Sequence, residues 1–153
     1  LIMITTLMWI GVAPGSTGGG VKVTTVALAL MNILALARGK ESIEIFKRRI
    51  ALESINKAFA IIVLSVLTIT FSFVLLNFTD PDKQMIPLLF ETVSAYTTCG
   101  LSMGVTQSLS AAGKFIIIAT MFVGRVGMLT LLVAFIKNTK NKSYIYPTEK
   151  LLF

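Results

Sequence analysis

Residues 58–78 read AFAIIVLSVLTITFSFVLLNF, and this stretch contains no charged residue. Because an α-helix rises about 1.5 Å per residue, a helix of this length spans the roughly 30 Å hydrocarbon layer of a bilayer. The stretch therefore predicts a transmembrane helix.

The composition of the whole chain agrees with a membrane protein. Hydrophobic residues make up 55% of its 153 residues and charged residues 14%, against roughly 45–50% and about 25% in soluble domains. The sequence has no histidine and a single cysteine, Cys99, which excludes an intramolecular disulfide and a Cys/His zinc site. We expect neither a cofactor nor an enzyme.

The basic residues fall mainly in two stretches between apolar runs, a pattern typical of a topology signal and not of a nucleic-acid surface. One stretch contains Arg38, Lys40, Lys47, Arg48, Arg49 and Lys57, and the other contains Lys137, Lys140, Lys142 and Lys150. We assign both to the cytoplasmic side of the membrane. That choice leaves residues 79–110, with Asp80, Asp82 and Glu91, on the outside.

Residues 115–136 form a second predicted span, which is interrupted by one charge, Arg125. A guanidinium near the centre of a span costs about 2.5–3.5 kcal/mol on insertion scales, so it needs a partner or water. Gly124 and Gly127 would let another segment approach it closely. Two interpretations stay open: an arginine satisfied by helix carbonyls, or a fixed positive charge at the wall of a pore.

The first apolar region is broken at its centre. Its two parts, residues 1–12 and 21–37, are separated by Pro14, Gly15, Ser16, Thr17, Gly18, Gly19 and Gly20. Proline and clustered glycine stop a helix, so we predict two half-helices around an intramembrane loop. A phosphate-binding loop is excluded, because Gly20 is not followed by Lys and Ser or Thr. The glycines either form a flexible constriction in a permeation path or merely allow close helix packing.

A short helix and an irregular segment follow the span at 58–78. Residues 84–96 are too few to cross a bilayer and suit a re-entrant helix. Backbone carbonyls in the following segment, together with the Thr98 hydroxyl, could replace the water around an alkali cation, and Gly100 tolerates unusual dihedrals. The alternative is a plain turn after a helix. The candidate residues are Thr97, Thr98, Cys99, Gly100 and Leu101.

Glu91 has two interpretations, a hydrogen-bond acceptor behind this segment or an exposed carboxylate at the interface. Together the segments predict an all-α membrane protein, with a helix–pore-loop–helix repeat preceded by a glycine-broken transmembrane helix. Alternation of apolar and polar residues predicts a short hairpin within residues 41–50.

Three motifs in this order resemble the Ktr/Trk/HKT superfamily of potassium transporters, specifically its KtrB/TrkH-type membrane subunit. They are Pro14-Gly-Ser-Thr-Gly-Gly-Gly-Val-Lys22, Thr97-Thr-Cys-Gly-Leu-Ser102 and Gly124-Arg-Val-Gly127. The resemblance implies four pore-loop repeats around one pore, of which this chain holds a C-terminal fragment. It assigns residues 1–37 to the broken second helix of the third repeat, 38–57 to a cytoplasmic connector, 58–137 to the fourth repeat and 138–153 to a cytoplasmic tail.

The same resemblance implies a role for each motif. Residues 97–101 would form one quarter of an ion filter, residues 15–20 a gating loop beneath it, and Arg125 a latch beside that loop. It further implies a multi-pass subunit of the cell membrane that takes up K⁺ or Na⁺, forms a homodimer and binds cytosolic nucleotide-binding RCK subunits. Because the leading repeats are absent, the alternative is a truncated membrane remnant or assembly module without transport activity of its own.

Overall fold

The computed structural model describes residues 1–11, 13, 15, 18–39, 44–45 and 48–127. Within these residues the regular structure is helical apart from one pair of antiparallel two-residue strands, which confirms the predicted all-α class and the predicted hairpin. The elements are α1 (Ile2–Trp9), α2 (Val23–Ala37), β1 (Glu44–Ile45), β2 (Arg48–Arg49), α3 (Leu52–Thr79), α4 (Met85–Thr97), a 3₁₀ turn (Thr106–Ser108) and α5 (Ala111–Val126).

Helix α3 contains the charge-free stretch at residues 58–78. It is 28 residues long, because its first turns add polar residues, including Glu53 and Lys57 in an ion pair of 2.7 Å. Among the described residues it is the helix that is long and apolar enough to cross a membrane. Large apolar side chains on its outer surface stay exposed, as on a helix that faces lipid: Val63, Val66, Leu67, Phe71 and Phe78.

Helix α4 lies at the centre of the described fold, in contact with α1, α3 and α5. Every residue from Phe90 to Thr97 is buried, so this helix has no outer face in its second half. Its buried hydroxyls donate to carbonyls one turn earlier, Thr92 to Leu88 at 2.6 Å and Thr97 to Val93 at 2.9 Å. Such bonds satisfy polar groups inside an apolar environment.

Polar contacts fix α1 and α5 against α3. The indole N–H of Trp9 donates to the hydroxyl of Ser65 at 3.1 Å, and the hydroxyls of Ser72 and Thr120 lie 2.8 Å apart. Between helices that pack in lipid, hydrogen bonds of this kind supply orientation where hydrophobic burial supplies little.

Asp80 joins the end of α3 to the start of α5. Its carboxylate accepts hydrogen bonds from the Ser110 backbone N–H at 2.8 Å and the Ser110 hydroxyl at 2.9 Å, while that hydroxyl caps α5 by accepting from the Gly113 N–H at 3.0 Å. Burial acts to raise the pKa of Asp80, but the hydrogen bonds from Ser110 and Thr79 and the charge of Lys83 together hold this pKa below its ordinary value. The junction fixes the two helices that flank α4.

The predicted span at 115–136 differs from the observed helix α5 in where it begins and where it ends. Helix α5 begins earlier, at Ala111, because Ser110 supplies an N-cap. It ends at Val126, and Gly127 leaves the helix with φ +85°, so the prediction of one helix through this position is wrong. Glycine has a low helix propensity and adopts positive φ at little cost, which explains the break. Residues 128–136 lie outside the described residues.

Helices α1 and α2 are separated by a stretch in which none of the described residues is helical. Helix α1 ends at Trp9 and α2 begins at Val23, so both are shorter than the apolar runs that predict them. Within this stretch, Gly19 and Gly20 approach the ends of α4 and α5.

Candidate functional site

The glycine segment between α1 and α2 meets the C-terminal end of α4. The backbone N–H of Gly19 donates to the Thr98 hydroxyl at 2.8 Å. A Cβ placed on Gly20 would lie 3.2 Å from the Thr97 methyl and 3.3 Å from its Cα. These approaches are tighter than ordinary side-chain contacts, so the absence of a side chain lets the two backbones come together.

The last turn of α5 closes the same junction. A Cβ on Gly19 would lie 2.9 Å from the carbonyl oxygen of Gly124, and a Cβ on Gly124 would overlap the carbonyl of Tyr96. The backbones of three segments are therefore stacked directly, with glycine at each contact. Close approach of this kind requires small residues, and it brings together all three motifs that the sequence singles out.

Thr98 has an unusual backbone conformation at this junction. Its φ of 55° and ψ of 31° are left-handed, and it is the one non-glycine residue with positive φ in the described part of the chain. A β-branched residue in this region is strained, at a cost on the order of 1–3 kcal/mol. The surrounding contacts must hold it there, and the bond from Gly19 is one of them.

The strained residue ends α4 with a complete C-capping motif. The Thr98 N–H donates to the Ala95 carbonyl and the Cys99 N–H to the Ser94 carbonyl, each at 3.2 Å. This Schellman pattern normally places glycine in the left-handed position. The reversal turns the chain sharply away from the helix axis.

The segment after Thr98 is exposed and irregular. Cys99, Gly100 and Leu101 are exposed, Gly100 has φ +76°, and residues 99–105 form neither helix nor strand. The backbone of this segment is therefore not part of any regular element and lies at the surface of the described fold.

Glu91 lies behind the segment, which decides between its two interpretations. Its side chain is 5% exposed, and its carboxylate accepts hydrogen bonds from the Ser102 hydroxyl, the Met103 N–H at 3.0 Å and the Thr106 hydroxyl at 2.7 Å. It is a buried acceptor and not an exposed interfacial carboxylate.

Arg125 follows Gly124 in the last turn of α5, and its side chain is exposed on the described residues. Its backbone therefore lies directly beside the glycine segment. A positive charge in the last turn of a helix is favoured by the helix dipole. The energetic cost argued for a mid-span arginine is reduced by this terminal position.

Some of the remaining predicted site residues lie within the described part of the chain and others lie outside it. Gly15 is exposed in a turn with φ +91°, Gly18 is half-buried, and Ser16 and Thr17 lie outside the described residues. Thr97 belongs to α4 itself and is 1% exposed, so its side chain faces the interior. Sequence reasoning missed the role of Tyr96, whose carbonyl faces Gly124; no pattern in the sequence signals a backbone contact.

Comparison with known proteins adds a family and several relatives. The TrkH family model, described as a cation transport protein, matches residues 1–145. The chain is 36% identical over 152 residues to Ktr system potassium uptake protein D of Bacillus subtilis, covering 99% of this chain and 34% of the relative. It is 40% identical over 141 residues to Ktr system potassium uptake protein B of the same organism, covering 92% and 31%.

A third relative is the potassium/sodium uptake protein NtpJ of Enterococcus hirae, 34% identical over 157 residues, with 99% of this chain and 35% of the relative covered. The chain spans about a third of the length of the curated relatives that it matches.

Proposed function

Because the chain belongs to the TrkH family of cation transport proteins, we propose that it forms one part of a pathway for uptake of K⁺, or of K⁺ together with Na⁺. Family membership confirms the resemblance inferred from the three motifs, and it assigns the chain to a transport family and not to an enzyme family. The names of its relatives include both potassium and sodium, so both ions enter the proposal.

In this proposal, residues 97–101 contribute one quarter of an ion filter. The observation that carries it is the left-handed turn at Thr98, after which an exposed, non-helical segment continues with Gly100 at φ +76°. An alkali cation that loses its water needs several oxygens at once, and carbonyls of an extended segment can supply them. Thr97 stays inside α4 and supports the segment by packing on Gly20.

Residues 15–20 act as a gating loop beneath this segment. Gly19 and Gly20 pack directly on Thr97 and Thr98, which supports a loop that lies at the inner end of the filter and obstructs the path. Irregular backbone at membrane depth is tolerated where it is buried in protein or lines a wet cavity. Arg125, adjacent to Gly124, serves as a latch and as a positive charge beside the path.

The proposed location is the cell membrane, crossed more than once. Helix α3 has the length and exposed apolar surface of a span, whereas the 13 residues of α4 reach only about 20 Å and enter without crossing. The segments 1–37, 38–57, 58–137 and 138–153 keep their assignments as a broken helix, cytoplasmic connector, fourth repeat and cytoplasmic tail. A homodimer and a cytosolic nucleotide-binding RCK subunit are the proposed partners.

The test is cation uptake by a chimera in which this chain replaces the matching 31% of the Bacillus subtilis Ktr system potassium uptake protein B. We expect Gly100→Ser to lower the K⁺/Na⁺ ratio of the chimera in liposomes. The matched control is Gly39→Ser, since Gly39 also has positive φ, at +68°, and open space around its Cα. An unchanged ratio in Gly100→Ser removes the filter assignment.

A remnant or assembly module without transport activity of its own is the second candidate. Liposomes that contain the 153-residue chain alone separate the candidates. K⁺-selective flux from that chain excludes the remnant. If only the chimera shows flux, transport is a property of the larger assembly.

A further inference from the structure

The irregular segment after α4 is held at its far end by one buried carboxylate. Glu91 precedes the segment by more than two helical turns, yet its side chain reaches Ser102, Met103 and Thr106. The two carboxylate oxygens of Glu91 accept from different donors. Oε1 accepts from the Ser102 hydroxyl and the Met103 N–H, and Oε2 accepts from the Thr106 hydroxyl. One side chain therefore holds both ends of the turn at residues 102–106.

The turn itself is closed around this carboxylate. The Ser102 hydroxyl, which donates to Glu91, also accepts from the Gly104 N–H at 2.9 Å. Gly104 has φ +84°, a conformation that glycine adopts at little cost. The hydrogen bonds to Glu91 offset the cost of burying a carboxylate, which is large without partners.

Residues 99–101 are thus suspended between two anchors. Their first anchor is the left-handed Thr98, which receives the Gly19 N–H, and their second is the Glu91 network. Between the anchors, residues 99–101 are exposed and form neither helix nor strand. The orientation of their carbonyls is set by where the two ends of the segment are fixed.

We infer that Glu91 is a positioning residue that sets the cation selectivity of residues 98–101 by fixing Ser102, Met103 and Thr106, without contacting the ion. This inference rests on the proposed function of the segment. A carboxylate has about four acceptor positions, and three are occupied by donors of the turn. The geometry assigns Glu91 to holding the protein backbone and not to binding a permeating cation.

The hydrogen-bond pattern separates a positioning residue from a charged ion ligand. Glu91→Gln keeps an oxygen acceptor for Ser102 and Met103, and its amide can donate to the Thr106 hydroxyl, so we expect it to retain most of the K⁺/Na⁺ ratio. Glu91→Ala removes all three bonds and should lower the ratio several-fold. If Glu91 instead bound the cation through its charge, both variants would remove that charge and would lower the K⁺/Na⁺ ratio equally.

The experiment measures K⁺ and Na⁺ flux in liposomes for the chimera and its variants. Ser102→Ala combined with Thr106→Val removes two donors from the segment and should lower the ratio in the same direction, which keeps the test open if Glu91→Ala does not fold. Asp82→Asn is the charge control, because Asp82 is exposed in the same outer region. Its ratio should match that of the parent chimera.

Two outcomes overturn the inference: an unchanged ratio in both Glu91→Ala and the donor double variant, or equal losses in Glu91→Gln and Glu91→Ala. The Gly100→Ser variant then tells whether the proposed function falls as well. A lowered ratio in Gly100→Ser leaves the filter in place and removes Glu91 alone, whereas an unchanged ratio removes both.

Discussion

The backbone N–H of Gly19 donates to the Thr98 hydroxyl at 2.8 Å, although the two residues are 79 positions apart. This bond links the glycine segment to the residue whose left-handed conformation ends α4. The candidate gate and the start of the candidate filter are therefore in direct contact, so we expect a change in the conformation of one to alter the conformation of the other.

Thr98→Val should raise cation flux through the chimera several-fold. The substitution keeps the branched shape of the side chain but removes the acceptor for the Gly19 N–H, which weakens the hold on the proposed gating loop. Flux in liposomes is the measurement. Thr98→Ser keeps the hydroxyl and should behave like the parent; equal flux in both variants contradicts the coupling.

Arg125→Ala should also raise flux, because it removes the proposed latch next to Gly124 and the positive charge beside the path. Arg125→Lys retains the charge but not the planar guanidinium, so its flux should lie between that of the parent chimera and that of Arg125→Ala. Lys114→Ala removes an exposed charge at the other end of α5 and serves as the control. Unchanged flux and gating in Arg125→Ala would remove the latch assignment.

Gly124→Ala should lower the free energy of unfolding of the chimera by about 1–3 kcal/mol, the usual cost of overpacking. A Cβ at this position overlaps the Tyr96 carbonyl, so α4 and α5 must move apart. Thermal unfolding in detergent measures the effect.

Helix propensity alone would make Gly124→Ala stabilising, because alanine is a better helix former than glycine by about 1 kcal/mol. A destabilising effect therefore reports the close backbone contact. Ala119→Gly, at an exposed position of α5, reports this propensity by itself. A stabilising Gly124→Ala would mean that the close backbone contact does not exist.

Asp80→Asn should lower the free energy of unfolding at neutral pH by roughly 1–2 kcal/mol, since it weakens the bonds from Ser110 that join α3 to α5. Although burial acts to raise it, the pKa of Asp80 is lowered from its ordinary value of 3.8 by those bonds together with the Thr79 hydroxyl and the Lys83 charge. Its contribution is therefore complete above about pH 3.8 and is lost as the pH falls through the lower folded pKa.

The difference in thermal stability between the parent and Asp80→Asn should accordingly shrink only in strong acid. Asp82→Asn, at an exposed position in the same loop, should change stability little at any pH. A difference that vanishes near neutral pH would contradict the assigned role of Ser110.

Local features of the fold could be predicted from the sequence. Composition and charge-free length predict α3, and the 13 residues of α4 agree with a predicted helix at 84–96 to within one position at each end. The sequence also predicts that Gly124 lets another segment approach closely, and in the structure Gly124 meets Gly19 and the Tyr96 carbonyl.

Contacts between distant segments could not be predicted. Nothing in the sequence pairs Gly19 with Thr98, or Gly124 with Tyr96, because these are contacts of backbone atoms that carry no residue-specific signal. The three partners of Glu91 were equally hidden, since short polar residues in a loop have many possible acceptors. The end of α5 at Val126 was missed because apolar composition outweighed the helix-breaking effect of Gly127.

The central claim is that residues 98–101 line the ion path, and the single cysteine of the chain gives direct access to it. Cys99 is exposed within this segment, so a water-soluble thiol reagent should label it in a chimera whose other cysteines have been replaced. We predict that K⁺ slows the labelling rate several-fold more than an equal concentration of choline, because bound K⁺ occupies the segment. A labelling rate that is the same in K⁺ and in choline would contradict the account.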